Sequence, residues 1–165
     1  MSEIDPRQFR DACGRFGTGV TVVSTHSEGA DHGMTANAFM SISVDPPLIA
    51  ISIAANAKML NKIRAAGRFA VSILAHGTEQ TAWHFAGRPN EKLGDPFDRK
   101  DGLPVIRGAV ACFTTDVVNE VIAGDHMIFI GRVKALNFDG ECKPLLFFQG
   151  KFGGLLDDDR RSELH

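Results

Sequence analysis

Three stretches of this 165-residue chain have residue types and spacings suited to chemistry. The first is the run 34–43, MTANAFMSIS, where Thr35, Asn37, Ser41 and Ser43 set small polar groups beside Ala36 and Ala38. Small side chains let a flat ligand approach the backbone, whose N–H and C=O groups can read its polar edge. The same pattern also suits an amphipathic strand with one wet face. The second stretch is Asn56-Ala57-Lys58, just ahead of a helical apolar pattern. A helix opening there would point free N–H groups and a positive end at a phosphate. The third is Gly124-Asp125-His126. An imidazole at a strand start could protonate or orient a ligand group, or Asp125 could bond the turn amides and leave His126 half-exposed.

Other chemistries find no support. The histidines, His26, His32, His76, His84, His126 and His165, form no HExxH motif and no i,i+4 pair. Cys13, Cys112 and Cys142 lack metal-ligand spacing, and three cysteines make no disulfide scaffold. Neither Gly-x-Ser-x-Gly nor a Walker motif is present. Cys13, on the apolar stripe of its helix, and Cys112, inside a strand, are expected to pack in the core.

These residues need a scaffold. Residues 6–15 read as a helix capped by Asp5, with Pro6 at its first position and Phe9, Ala12, Cys13 and Phe16 at helical spacing. Residues 20–25 are rich in β-branched side chains and read as a strand, and 27–33 as a polar hairpin loop. In 34–44, Met40, Ile42 and Val44 alternate with Ser41 and Ser43; Pro46 and Pro47 then break the strand before another at 48–53. This pair is expected to form the rigid heart of the sheet. Asn56 is expected to cap a helix over 57–66 with Met59, Leu60 and Ile63 inside, stopped by Gly67. A strand at 69–74 and a short helix within 78–86 follow. Residues 87–104, rich in glycine and proline, read as a long irregular excursion. Long strands at 109–122 and 125–136 come next, with Gly131 marking a bulge or barrel corner. A last strand at 144–148 precedes a glycine-rich end, and 157–165 form a charged tail expected to be flexible.

No βαβαβ alternation appears, so a Rossmann domain is disfavoured. One mainly β domain over 1–156 is expected: a small antiparallel barrel with short helices across its openings. Eighteen basic and twenty acidic side chains nearly balance, which argues against nucleic acid as a partner. The chain contains no apolar run of membrane-spanning length, and its start, MSEIDPRQFRD, is unlike a secretory signal. A cytoplasmic protein is expected.

Taken in order, FRDACGRFGTGVTVVST, GMTANAFMSISVDPPLIAISI, RFAVSIL with Gln80 and Phe85 after it, GLPVIRGAVACF, AGDHMIFIGRV and PLLFFQGKFGGL resemble the short-chain flavin reductases of the flavin reductase-like domain family. The likeness runs over residues 7–156. It implies a Greek-key-like FMN-binding split barrel and a homodimer with flavin at or near the subunit interface. Position by position, Thr35, Ala36, Asn37 and Ser41 match the strand along the isoalloxazine and ribityl chain. Ser52, Ala54, Asn56 and Lys58 match the segment near the phosphate, and Phe85 an aromatic flanking the pocket. Asp125 and His126 match the turn expected near the nicotinamide, with His126 positioning it and not acting as an obligatory acid. Phe152 matches an aromatic wall of the C-terminal motif. Relatives often carry tyrosines in that motif; here Phe147, Phe148 and Phe152 stand instead, and the chain has no Tyr.

The activity implied is hydride transfer from NADH, with NADPH as the alternative, to FMN or FAD. The reduced flavin would pass transiently to a separate oxygenase. A ferric reductase, a pyridoxamine-phosphate-oxidase-like enzyme and a non-catalytic flavin-binding protein share the barrel and remain as alternatives.

Overall fold

The Asp5 carboxylate accepts a hydrogen bond from the Arg7 N–H at 2.7 Å, and Pro6 opens helix α1 (Pro6–Cys13). The computed structural model describes residues 3–156; the expected tail at 157–165 lies outside the described residues. Strands β1 (Thr18–Gly19), β2 (Thr21–Ser27), β3 (Ala30–Ala36), β4 (Phe39–Ser43) and β5 (Leu48–Ala54) follow. Then come α2 (Lys58–Ala66), β6 (Arg68–Ile73), α3 (Glu79–His84), β7 (Phe97–Lys100) and β8 (Leu103–Ile106). Two long strands, β9 (Ala111–Ala123) and β10 (His126–Phe138), precede the short β11 (Leu146–Phe148) and β12 (Lys151–Gly153).

The main sheet is antiparallel throughout, in the order β3-β2-β6-β9-β10-β5-β4. Its two edge strands, β3 and β4, are joined by only Asn37 and Ala38. A flat sheet would hold its edges about 29 Å apart, six spacings of about 4.8 Å. Three Cα steps reach at most about 11 Å. The sheet must therefore roll into a barrel, split where the two-residue link crosses. That link is bonded to both sides: Thr21 Oγ1 donates to the Ala36 carbonyl at 2.7 Å, and the Ser52 N–H to the Ala38 carbonyl at 3.2 Å.

Inside lie Val23, Ile49, Ile51, Ile53, Phe69, Val71, Met127 and Phe129, with Met59, Leu60 and Ile63 of α2 packed against them. Gly67, in the left-handed conformation, ends α2. At Gly131 the β9–β10 register shifts, as expected of a bulge; a Cβ there would fall 2.5 Å from Thr115 Oγ1 and 2.7 Å from the Phe69 ring. Burial pushes the Cys112 thiol up, in keeping with a packing role.

Five sequence expectations need correction. The polar loop expected at 27–33 is only a two-residue turn at Glu28-Gly29, and β3 already runs from Ala30 through Gly33. Helix α1 buries none of its residues: Phe9 and Cys13 are exposed, as is Phe16, because none of the described residues covers that apolar face. Strand β4 is an edge, not the heart of the sheet, and Met40, Ile42 and Val44 are exposed. Alternation tells which side chains share a face but not which strand lies outermost. Asn56 does not cap α2; Ala57 holds that position, with no side-chain cap bond. Finally, 87–104 is not irregular throughout. It contains β7 and the buried start of β8, turned at Asp101-Gly102 with positive φ at both residues, the geometry of a tight hairpin.

Candidate active site groove

The groove begins where α3 meets β3. Thr35 Oγ1 donates to the Ala82 carbonyl at 2.7 Å, and the Thr35 N–H donates to the Phe85 carbonyl at 3.0 Å. These bonds cover an otherwise open sheet edge and lay the Phe85 ring across Gly33. Phe97 packs against that ring, centroid to centroid 5.4 Å.

A cavity of about 260 Å³ opens beside this contact, lined by Val20, Thr35, Ala36, Asn37, Trp83, Ala86, Phe147, Gly150 and Phe152. Phe152 meets Trp83 edge-on at 5.1 Å and tilts against Phe147 at 5.6 Å, and the Arg88 guanidinium lies 4.3 Å from the Trp83 ring centre. Thr35 and Ala86 also line a second cavity of about 710 Å³, whose walls include Gly33, Met34, Phe85, Lys58 and Lys62. Asn37 is shared with a third, of about 460 Å³, bounded by Phe16, Thr18 and Phe39. Ala38 and Phe39 carry the groove on to a fourth, of about 200 Å³, walled in part by Ser52.

The structure thus places Thr35, Ala36, Asn37, Phe85, Lys58 and Phe152 on the walls of adjoining cavities that share residues, with Ser52 in the last of the set. Ser41, Ala54, Asn56, Asp125 and His126 line none of these four cavities. Ser41 is exposed on β4, opposite Ile49, and Asn56 is exposed before α2. Ala54 and His126 are register partners where β5 and β10 end, and the Asp125 carbonyl accepts from the Ala55 N–H at 2.9 Å. His126 Nδ1 lies 2.8 Å from Asp125 Oδ1; that bond and the imidazole's charge lower the Asp125 pKa. His126 and Asp125 stand exposed at the hairpin end.

Electrostatics favour an anion on the lysine side. Asp31, the one acid in the wall of the large cavity, is engaged by Arg99 at 2.9 and 2.7 Å and by His26 Nδ1 at 2.7 Å. Burial works to raise its pKa, but the hydrogen bonds and charges of His26 and Arg99 outweigh it and hold the carboxyl low. Lys58 and Lys62 make no ion pair among the described residues. The described residues also hold no cluster of His, Cys, Asp or Glu fit for a metal ion. No described helix is long and apolar enough to cross a membrane.

Several wall residues were not singled out by sequence. Gly33 carried a signal, since a glycine inside a strand often marks close approach by a neighbour. Trp83, Ala86 and Gly150 carried none; only folding brings α3 and the β11–β12 turn to β3.

A split antiparallel barrel whose slit carries small residues, an aromatic wall and unpaired lysines fits a flat aromatic ligand with a phosphate-bearing tail, as a flavin is. The flavin reductase like domain matches residues 13–156, and the chain belongs to that family. It is 44% identical over 156 residues to an NADH-dependent flavin reductase of a Rhodococcus species, covering 93% of this chain and 88% of that one. It is 39% identical over 141 residues to the reductase component of 4-hydroxyphenylacetate 3-monooxygenase from Thermus thermophilus, covering 86% and 91%. The solved structure of flavin reductase PheA2 in its native state superposes with a TM-score of 0.88 at 49% identity, covering 93% of this chain and all of that one.

Proposed function

We propose that this chain is an NADH-dependent flavin reductase that supplies reduced flavin to a separate monooxygenase component. The observation that carries the reading is the pair of adjoining cavities that share Thr35 and Ala86, one aromatic at Phe152 and the other cationic at Lys58, in a chain of this family. The nicotinamide and the flavin supply the hydride chemistry when bound. No side-chain nucleophile is required.

The protein's part is to bind, orient and exclude. Ala36 and Ala38 keep the crossing link thin, so a ring can approach backbone groups that are fixed before charge develops. Phe147 and Phe152 wall the ring's side with hydrocarbon and offer no phenolic proton. Phe85 flanks the pocket from α3. Lys58 serves the phosphate that FMN and FAD share, without Ser52, which lines the cavity at the other end of the set. His126, oriented by Asp125, positions the nicotinamide nucleotide and is not an obligatory acid.

The protein acts as a homodimer. The face of α1 and the outer end of β9–β10 expose Phe9, Val121 and Ile122, and a second copy covering them would bring residues absent from one chain's groove, His126 among them, toward a site. FMN and FAD are both substrates, NADH is the preferred donor over NADPH, and reduced flavin leaves by diffusion.

The test is anaerobic stopped-flow mixing of NADH with the protein and excess FMN or FAD, watching the flavin's visible band. Bleaching through many turnovers is expected. Bleaching of a single bound equivalent would make the flavin a retained group. No bleaching with either nicotinamide nucleotide would leave a flavin-binding barrel and overturn the reading.

A further inference from the structure

Lys58 and Lys62 stand four residues apart on α2, so they share one face of the helix. Both line the cavity of about 710 Å³, and neither has a carboxylate partner among the described residues. Lys62 is half-buried where Lys58 is exposed. The cavity's one acid, Asp31, is already held by Arg99 and His26. The two lysines also line a smaller pocket shared with Glu28, which forms no ion pair with either, so an anion in the larger cavity would meet two unpaired cations. Lys58 opens α2 and Lys62 stands one turn farther along it, so an anion longer than a single phosphate can reach both. Met34 and the Phe85 ring line the same cavity and leave room for a further aromatic group.

We propose that Lys62 discriminates among flavins by contacting the second phosphate of FAD, which FMN and riboflavin lack. The assignment rests on the flavin-reductase reading above. The same chemistry could come from the phosphates of the nicotinamide nucleotide, so the experiment separates the two sources.

The flavin-free full-length protein and its Lys62→Ala, Lys62→Arg and Lys58→Ala variants are titrated with riboflavin, FMN and FAD by fluorescence anisotropy. NADH and NADPH are titrated in parallel by nicotinamide fluorescence. Lys62→Ala should weaken FAD roughly fivefold or more while FMN and riboflavin stay within about twofold, the scale of one partly screened charged contact. Lys62→Arg should restore FAD, and Lys58→Ala should weaken FMN and FAD alike. Equal losses for FMN and FAD in Lys62→Ala, or no loss for either, would overturn the assignment. So would a loss for NADH or NADPH with FAD unchanged, which would give Lys62 to the donor. Were the wild-type protein to bind no flavin at all, the flavin reading itself would fall, an outcome distinct from a flavin-binding protein indifferent to Lys62.

Discussion

A Cβ placed on Gly33 would fall 2.7 Å from two atoms of the Phe85 ring, so glycine in β3 and the aromatic after α3 form one interlocked contact. Phe85 cannot simply swing away, because Phe97 packs on it and its carbonyl is bonded to the Thr35 N–H. Gly33→Ala should therefore cost about 1–3 kcal/mol through overpacking, lowering the melting temperature by about 2–4 °C per kcal/mol. Flavin affinity should fall as well, since the displaced ring borders the groove. Adding Phe85→Leu should recover much of the stability. A double variant no more stable than Gly33→Ala would show that the clash is relieved elsewhere.

The bidentate Arg99–Asp31 pair ties the β7–β8 hairpin to the β2–β3 hairpin, with His26 on the same carboxylate. The folded pKa of Asp31 lies below its unfolded value. The stabilisation is therefore present above the unfolded pKa, about 3.9, and is lost as pH falls through the folded one. Asp31→Asn should cost about 0.5–1 kcal/mol at neutral pH, as expected of a partly exposed pair. Urea unfolding of both proteins should show that difference shrinking in acid. A difference that stays constant down to about pH 3 would place the effect in packing and not in charge.

Phe152 sits edge-on to Trp83, the chain's sole tryptophan, which makes the wall its own reporter. Phe152→Ala should shift Trp83 emission and weaken flavin binding about fivefold, the worth of about 1 kcal/mol for a lost aromatic contact. Phe152→Tyr should bind flavin within about twofold of wild type, since only packing is asked of this position. A large gain in turnover for Phe152→Tyr would mean that a phenolic hydroxyl matters after all.

The parts of this fold legible in sequence were those fixed by local rules. Alternation over β5, the Gly67 stop of α2 and the Gly131 bulge each follow from backbone or packing constraints that one segment states by itself. The Asp101-Gly102 turn was also legible, but the surrounding glycines and prolines masked it as loop. What could not be read was adjacency. Nothing in Met40, Ile42 and Val44 says that β4 is an edge, and nothing in α1 says that its apolar face goes uncovered in its own chain. In the groove, Thr35, Ala36 and Asn37 were found from residue type alone. Lys62 carries no such signal, because only the packed fold brings β3 and α2 to one cavity.

His126 and Asp125 form a hydrogen-bonded pair at an exposed hairpin end, outside the groove of their own chain. If the imidazole positions the nicotinamide nucleotide, His126→Ala should raise the KM for NADH more than it lowers kcat. Asp125→Asn, which keeps the imidazole but weakens its orientation, should shift KM in the same direction and less. A steep fall in kcat at unchanged KM would instead make His126 part of the transition-state machinery.

The proposed homodimer gives the last expectation. Phe9 is 59% exposed on α1, and Ile122 is 79% exposed near the end of β9. Neither packs in its own chain's core, so charges placed there should leave the barrel folded, with unchanged far-ultraviolet circular dichroism. Against a second copy the same charges would be desolvated without partners, costing about 3 kcal/mol or more and weakening association at least roughly 100-fold. Sedimentation velocity should therefore find wild type dimeric and Phe9→Glu or Ile122→Lys shifted toward monomer. Reductase activity should follow the dimer fraction as protein concentration is varied, because His126 lines none of the groove cavities of its own chain. A wild-type protein that is monomeric and fully active would remove the dimer, and with it the requirement that His126 act on a site shared between two chains.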